Sequence, residues 1–396
     1  MNNFQKNVTI KSCSHQPQIS FLRMIYFIFC SADCNLACSY CGNSPEDLCM
    51  PVKPTYEFEK LAEFIAGDDD PVFVFYGGEP LLNRPYVCRV MDRFPDATFV
   101  LQSNCTLLYD LPTPYLKRFA CILLSIDGRP ETVDAYRGEG VYEKIEKNIK
   151  DARSRGYTGP IVARMACSLN TDIYKDVHYL MYESPLKFDA VYWQLDVEWD
   201  SPMNARWGNF EIWMRQTYMP GVDKLFKEWR EGLEHGDVKV IVPFNTITEA
   251  YLDCNVIDGA DPSVPRRGYL RCSAGHKAVS ITTDGRVLAC PVASGECWNN
   301  LGKLSDQRTS LLGKKTVGGT CDICEVREVC GGRCLYANQT LWWGDDGHAL
   351  VCELNKHLIG LCESHSERVQ EMLATGKISW TQFHFPSERY SLEIIP

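Results

Sequence analysis

The chain has 396 residues, of which 45% are hydrophobic and 23% are charged, so it can bury a sizeable core and we expect two or three globular domains. The net charge of −10 is spread along the chain without a Lys/Arg-rich run, which argues against nucleic-acid binding. No apolar stretch approaches the roughly twenty residues that cross a membrane, and no secretory signal is evident, so we expect no membrane association and a cytoplasmic protein.

The alternation of short apolar runs with longer amphipathic segments dominates the first half of the chain. Continuous Val/Ile/Leu/Phe runs are typical of strands buried on both faces, and the segments between them have helical spacing. This alternation predicts a parallel sheet, and six units are too few for a closed barrel, so we predict a partial (β/α)6 TIM-like barrel of the α/β class. The predicted strands are 25–29, 72–76, 98–102, 122–126, 161–165 and 191–195, and the predicted helices are 56–66, 84–94, 142–155 and 172–182.

The composition changes twice in the second half of the chain. Residues 203–250 carry aromatic side chains at helical intervals, which we interpret as packing core rather than as a substrate platform. After Cys272, Cys, Gly and turn residues dominate, and a region so poor in core residues usually needs a metal to fold. We predict an extension over 1–21, the partial barrel over 22–202, a helical bridging region over 203–265, a cysteine-rich domain over 266–365 and a tail over 366–396.

Cysteine usage is the most unusual feature of the composition. The chain has 20 cysteines, which a reducing cytosol would keep from forming disulfides. Scattered ones such as Cys88, Cys121 and Cys167 are expected to be small buried hydrophobic residues. Those grouped at short spacings are expected to bind a metal ion or an iron-sulfur cluster.

One such group follows the first predicted strand directly. Cys34, Cys38 and Cys41 form a C-x3-C-x2-C spacing. Three thiolates on one loop can hold three corners of a 4Fe-4S cube and leave one iron open. A zinc site would use the same thiolates, but zinc usually takes a fourth Cys or His, for which Cys49 is the nearby candidate.

This spacing resembles the defining motif of the radical S-adenosylmethionine (SAM) superfamily, in which an aromatic residue precedes the third cysteine, as Tyr40 does here. The resemblance implies that the open iron binds the amino and carboxylate groups of SAM. It also implies that reduction cleaves SAM to methionine and a 5'-deoxyadenosyl radical, chemistry that belongs to the cofactor while the protein orients it.

Further elements resemble those of the same superfamily and follow in the expected order. The resemblance implies contacts from them to the amino group, carboxylate and ribose of SAM, and the Glu79 carboxylate can accept from an ammonium group. Cys105 stands where the family has glycine, so the geometry of that turn stays open. The elements are Gly77-Gly78-Glu79-Pro80 (GGEP), Asn104 (T-N-G), Ser125 and Asp127 (SxDG), and Arg137 (YRG), each near the C-terminal end of a predicted strand, where α/β sheets place active sites.

A second cysteine array occupies the C-terminal region and consists of Cys272, Gly285 and Cys290, then Cys321, Cys324, Cys330 and Cys334, and finally Cys352. This spacing resembles the SPASM pattern of twin auxiliary 4Fe-4S clusters. A zinc ribbon would not need Cys290 or Cys352. The resemblance implies one cluster held by Cys321, Cys324, Cys330 and Cys352, and another held by Cys272, Cys290 and Cys334. The fourth ligand of the latter stays open between Cys297, Cys254 and a substrate thiolate on an open iron.

Members with this pattern most often modify ribosomally made peptides or proteins. We therefore expect an enzyme with three 4Fe-4S clusters and SAM that modifies a peptide or protein by C-C or C-S bond formation, with an electron donor such as flavodoxin or ferredoxin. Formylglycine formation on a sulfatase is disfavoured because Pro291 replaces the expected Asp. Dehydrogenation of a small metabolite stays open, whereas a non-catalytic zinc or redox module would explain the C-terminal array but not the cysteine loop combined with GGEP. No catalytic acid or base can be named, and Asp196, Glu198 and Tyr336 are positional candidates.

Overall fold

A computed structural model describes residues 23–41, 49–196, 208–262, 267–386 and Pro396. The extension predicted over 1–21 and the candidate Glu198 lie outside these residues. None of the helices within them has both the length and the apolar character needed to cross a bilayer.

The described strands form one nine-stranded sheet in the order β6-β5-β4-β3-β2-β1-β7-β8-β9. Strands β1 to β7 pair in parallel, and β8 and β9 add antiparallel at the edge beyond β7. The six predicted strands are confirmed as β1 to β6 and give the sheet of a partial barrel. Their bounds are β1 Ile25–Ser31, β2 Val72–Gly77, β3 Thr98–Ser103, β4 Phe119–Ser125, β5 Ile161–Cys167, β6 Ala190–Leu195, β7 Ala278–Ile281, β8 Arg286–Leu288 and β9 Asn300–Lys303.

Burial on both faces explains why the strands are continuous apolar runs. All seven residues of β1 are buried. Tyr26 and Ile28 point to the face that packs against the helices, whereas Ile25 and Phe27 join a second cluster on the opposite face. Because both faces bury side chains, every position of such a strand favours an apolar residue.

The helices cover the sheet and extend the predicted pattern. The four predicted helices are present as α1, α2, α5 and α6. The described aromatic residues Phe210 and Trp213 of α7 and Phe226 and Trp229 of α8 are core residues, as interpreted from the sequence, and Trp207 lies outside the described residues. The bounds are α1 Phe58–Ile65, α2 Arg84–Arg93, α3 Thr113–Leu116, α4 Pro130–Arg137, α5 Val141–Ser154, α6 Ile173–His178, α7 Phe210–Trp213, α8 Met219–Glu234, α9 Val242–Glu249, α10 Arg327–Cys330, α11 Leu335–Thr340, α12 Gly344–Ala374 and α13 Trp380–Phe383.

The cysteine-rich region is joined to the barrel more closely than the sequence suggested. Its strand β7 pairs with β1, with Ile25 opposite Ala278, so the regions predicted as 22–202 and 266–365 share one sheet. The region also contains the 31-residue helix α12, although little periodicity was expected there. This helix runs through residue 365, so the tail predicted from 366 begins inside a helix.

Candidate functional site

The loop after β1 carries the three clustered cysteines at the C-terminal edge of the sheet. Cys34 and Cys38 are half-buried and Cys41 is exposed. The loop is fixed at both ends, because Ala32 N donates to the Val52 carbonyl and Ser39 N donates to the Tyr136 carbonyl, each at 2.9 Å. Burial, and to a smaller extent the neighbouring thiols, raise the pKa of Cys34 to about 11. A metal centre that binds this thiol must therefore displace its proton.

Asp127, from the loop after β4, connects this cysteine loop to α4. Its fully buried carboxylate accepts from Arg137 Nε at 2.7 Å and Arg137 Nη2 at 2.9 Å, an ion pair with two parallel hydrogen bonds. The same carboxylate accepts from the Tyr40 hydroxyl at 2.9 Å and from Ala166 N at 3.0 Å. Arg137 Nη1 lies 4.0 Å from Cys38 Sγ, so a buried positive charge faces the cysteine loop.

The glycine pair after β2 lets two loops approach backbone to backbone. A Cβ on Gly77 would lie 2.1 Å from the Ser31 carbonyl oxygen, and a Cβ on Gly78 would lie 2.3 Å from that of Asp33. Gly78 N donates to the Ser31 carbonyl and Glu79 N donates to the Asp33 carbonyl. The sequence predicted that these glycines bring backbone close to a ligand; the observed close approach is to the cysteine loop itself.

The carboxylate of Glu79 points into the protein and joins the ends of β2 and β3. It is fully buried and accepts from Leu81 N at 3.0 Å, the Ser103 hydroxyl at 2.8 Å and Asn104 N at 2.9 Å. Burial raises the pKa of Glu79 to about 7 despite these donors. Three donors of the protein thus use part of the acceptor capacity of this carboxylate, and its contact with a ligand ammonium group stays a prediction. Pro80, also buried, begins a 3-10 helix over Pro80–Asn83.

The turn after β3 keeps the geometry of a glycine turn without the glycine. Cys105 has φ +57°, in the left-handed region. Asn104 directs its Nδ2 to Asn35 Oδ1 at 3.0 Å and to Cys34 Sγ at 3.9 Å, while its Oδ1 accepts from Thr106. The replacement therefore leaves the turn intact and Asn104 beside the first cysteine. Ser125, which is half-buried, ends β4.

In the C-terminal region, four cysteines from two separate segments of the chain line one cavity. It has a volume of about 40 Å³ and is lined by Cys321, Cys324, Cys330 and Cys352. The first three lie around α10, and Cys352 reaches the cavity from α12. Cys334, predicted as a ligand of the other cluster, also contributes to the lining.

The other predicted auxiliary ligands lie on segments fixed by neighbouring hydrogen bonds. Cys272 follows Arg271, whose guanidinium donates to the Val329 carbonyl at 2.9 Å, beside Cys330. Cys290 is buried, and its backbone N–H and carbonyl both bond the Asn299 side chain. Of the candidates for a fourth ligand, Cys254 is buried and Cys297 is exposed.

Comparison with known proteins finds a family match for the region that contains the cysteine loop. Residues 28–174, which contain the cysteine loop and the turns after β2, β3 and β4, match the Radical SAM superfamily. The chain therefore contains a radical SAM domain, and members of this superfamily are enzymes. The superfamily implies a 4Fe-4S cluster and SAM as cofactors.

Similar proteins extend the likeness beyond this domain. The radical SAM cyclopropyl synthase TigE of Paramaledivibacter caminithermalis is 24% identical over 371 residues, covering 83% of this chain and 71% of TigE. An uncharacterized protein of Archaeoglobus fulgidus is 25% identical over 321 residues, covering 76% of this chain and 71% of that protein.

Two solved structures share the fold of this chain. The structure of anSMEcpe with bound AdoMet and the Cp18Cys peptide has a TM-score of 0.65 at 18% identity and covers 88% of this chain and 99% of its own. The structure of Streptococcus suis SuiB bound to the precursor peptide SuiA has a TM-score of 0.51 at 11% identity and covers 79% of this chain and 72% of its own. Both likenesses support the partial-barrel fold.

Sequence reasoning missed three polar residues that line the cavity of Cys321, Cys324, Cys330 and Cys352, called the auxiliary cavity below. They are Arg333, Asn338 and His348. His348 stands four residues before Cys352, a spacing that would have placed both on one helical face had α12 been predicted. Nothing in the sequence marked Arg333 or Asn338. The positional candidates Asp196 and Tyr336 are both buried, and Asp196 accepts from the Ser168 hydroxyl at 3.1 Å.

Proposed function

We propose that this radical SAM enzyme modifies a peptide or protein by forming a C-C or C-S bond, using one SAM-binding and two auxiliary 4Fe-4S clusters. The observation that carries the proposal is the cavity where Cys352 of α12 meets Cys321, Cys324 and Cys330. Cys352 comes from a different segment of the chain than the other three cysteines, and all four line one small cavity, as the ligands of one cluster must.

Cys34, Cys38 and Cys41 would hold the cluster that binds SAM. The residues around it suit that assignment, because Arg137 and Asn104 each direct a nitrogen to within 4.0 Å of a thiol sulfur. When bound, the cluster and SAM supply the 5'-deoxyadenosyl radical that removes a hydrogen atom from the substrate. The residues proposed to surround SAM are Tyr40, Gly77, Gly78, Glu79, Pro80, Asn104, Ser125, Asp127 and Arg137.

The chain's own contribution at this site is rigidity. Glu79 ties the ends of β2 and β3 together, and Asp127 ties the cysteine loop to α4. Both carboxylates are fully buried, which limits the motion of the loops that they join. Their proposed role is to fix the position of the cofactor, so that its radical forms beside the hydrogen atom to be removed.

Iron-sulfur clusters account for these cysteines better than a zinc ribbon, which would not need Cys290 or Cys352. Cys272, Cys290 and Cys334 are proposed to hold the second auxiliary cluster.

The known relatives support a bond-forming reaction on a peptide. TigE is named a cyclopropyl synthase, and closing a cyclopropane ring forms a C-C bond. Structures of anSMEcpe and SuiB contain peptides. Formylglycine formation is less well supported, because Pro291 offers no carboxylate to accept a substrate proton where the pattern expects Asp.

The cofactor part of the proposal is tested by anaerobic reconstitution and measurement of iron and 5'-deoxyadenosine with dithionite in place of flavodoxin or ferredoxin. We expect about twelve iron atoms per chain and 5'-deoxyadenosine release. Replacing Cys34, Cys38 and Cys41 by Ala should abolish release and leave about eight iron atoms. Cys88→Ala, on α2 and outside both arrays, is the matched control and should keep both values. Release at the parent rate from the triple variant would refute the assignment.

The substrate part is tested with synthetic peptides encoded by short reading frames beside the gene. A peptide that loses two hydrogen atoms by mass spectrometry, only with SAM and reductant, would support bond formation. Alkylation of its thiols beforehand separates the two bonds, because it blocks C-S but not C-C formation. Conversion of a Cys or Ser residue to formylglycine, with no cross-link, would contradict the proposal.

A further inference from the structure

A buried guanidinium with an unpartnered nitrogen lies against the auxiliary cavity. Arg333 lines the cavity with a 7% exposed fraction. Its Nε donates to the Pro396 backbone oxygen at 2.6 Å, and its Cζ lies 5.2 Å from the centre of the Trp343 ring. Its Nη2 is buried and has no hydrogen-bond partner among the described residues. A buried donor without a partner is costly, so an occupant of the cavity that accepts a hydrogen bond would compensate it.

The two other cations at the cavity differ from Arg333, because each is bonded to a carboxylate side chain. Arg327 Nη1 bonds Asp322 Oδ1 at 2.6 Å, and Lys356 Nζ bonds Glu325 Oε1 at 2.8 Å. Their side chains are 35% and 43% exposed, so water also screens them. Arg333 is therefore the cation that is shielded from water and still has an N–H group to offer an occupant of the cavity.

The backbone at Arg333 is strained to hold this position. Gly331, Gly332 and Arg333 all have positive φ, and Arg333 has φ +57°. The left-handed region is unfavourable for a residue with a side chain. Such strain persists where the surrounding structure or a function requires the side chain in that place.

Two side chains place nitrogen atoms near the sulfur atoms of the same cavity, and one of these nitrogens, His348 Nε2, also lies 3.3 Å from the Thr320 hydroxyl. Asn338 Nδ2 lies 3.7 Å from Cys321 Sγ, and the Asn338 amide is oriented by Gly318, whose N–H and carbonyl bond Asn338 Oδ1 and Nδ2. His348 Nε2 lies 3.6 Å from Cys352 Sγ, one helical turn away on α12. A cluster-bound thiolate can only accept a hydrogen bond, so Nε2 would carry the proton when the cluster is present.

We propose that Arg333, His348 and Asn338 raise the reduction potential of the auxiliary cluster held by Cys321, Cys324, Cys330 and Cys352. This inference rests on the proposed function, because it assumes a cluster in the cavity. Reduction adds one negative charge to the cluster, and a buried cation and N–H donors stabilise that charge. The three residues act through the ligands as positioning and tuning groups.

The test is a redox titration monitored by electron paramagnetic resonance. The full chain is used with Cys34, Cys38 and Cys41 replaced by Ala, so that only the auxiliary clusters titrate. In this background, Arg333→Met and His348→Leu should shift the midpoint of one auxiliary cluster to a more negative potential. Arg333→Lys keeps the charge and should stay near the parent. Arg327→Met, the matched control, removes a cation that is already paired and should also stay near the parent.

The outcomes separate the inference from the function on which it rests. Parent potentials in Arg333→Met and His348→Leu at full iron content would overturn the tuning role, as would an equal shift in Arg327→Met. Loss of about four iron atoms in Arg333→Met but not in Arg333→Lys would support charge compensation, whereas loss in both would overturn it. A background protein without auxiliary iron would refute the proposed clusters and the inference together.

Discussion

Removing the charge of Asp127 should destabilise the protein strongly. The carboxylate accepts four hydrogen bonds, two from Arg137, one from Tyr40 and one from Ala166. In Asp127→Asn, one acceptor becomes an NH2 group that faces donors, and the buried charge of Arg137 loses its partner. Breaking a buried pair by removing one member costs about 3–5 kcal/mol.

A double variant separates this explanation from a simple loss of packing. Asp127→Asn with Arg137→Met removes both charges, so it should be less destabilised than Asp127→Asn alone. Tyr40→Phe removes one hydrogen bond to a charged acceptor and should cost about 1.5–3 kcal/mol.

The assay measures the free energy of unfolding of the reconstituted proteins in urea, with circular dichroism and tryptophan fluorescence as the two probes. Asp134→Asn is the matched control, because Asp134 lies near Arg137 on α4 and, among the described residues, accepts only from the backbone N–H groups of Gly140 and Tyr142. It should cost less than Asp127→Asn. A loss below about 1 kcal/mol in Asp127→Asn, or additive losses in the double variant, would refute the reasoning.

Three further predictions concern the turns around the same site. Cys105→Gly should be more stable than Cys105→Ala by about 1 kcal/mol in urea unfolding, because both lose the thiol but only glycine relieves the left-handed strain; equal stabilities would contradict this. Gly77→Ala should lower SAM cleavage and cost more than about 3 kcal/mol, because its Cβ would collide with the Ser31 carbonyl oxygen. Gly67→Ala, with open space around its Cβ and φ +78°, should cost only about 1 kcal/mol. The pKa of Glu79 is raised to about 7, so the folded protein binds this proton more tightly than the unfolded chain does. Protonation of Glu79 therefore stabilises the fold fully below the ordinary carboxyl pKa, and this stabilisation is lost as the pH rises through 7. Unfolding measured from pH 4 to 8 should show a decline that Glu79→Gln flattens, and an unchanged slope would contradict it.

The sequence by itself determined the six barrel strands and predicted the cysteine loop that follows β1. Strands buried on both faces must be apolar at every position, so their runs are visible without any tertiary information. The spacing of Cys34, Cys38 and Cys41 is equally local, because three ligands on one loop depend on few other residues. The match of residues 28–174 to the Radical SAM superfamily agrees with this part of the prediction.

The tertiary structure alone decided how the C-terminal region joins the barrel. Strand β7 has four residues, too few for a pattern, and is a strand because β1 offers it an unpaired edge. Helix α12 buries residues at helical spacing, among them Val351, Leu358 and Val369, so the expectation of little periodicity in this region was wrong.

Side-chain direction was the other property that the sequence could not determine. Glu79 turns inward because Leu81, Ser103 and Asn104 supply donors there, and a sequence motif carries no such direction. Arg333 reaches the cavity because its backbone is left-handed after two glycines. The chemistry of these residues could be predicted from their type, but their partners depend on contacts between segments distant in the chain.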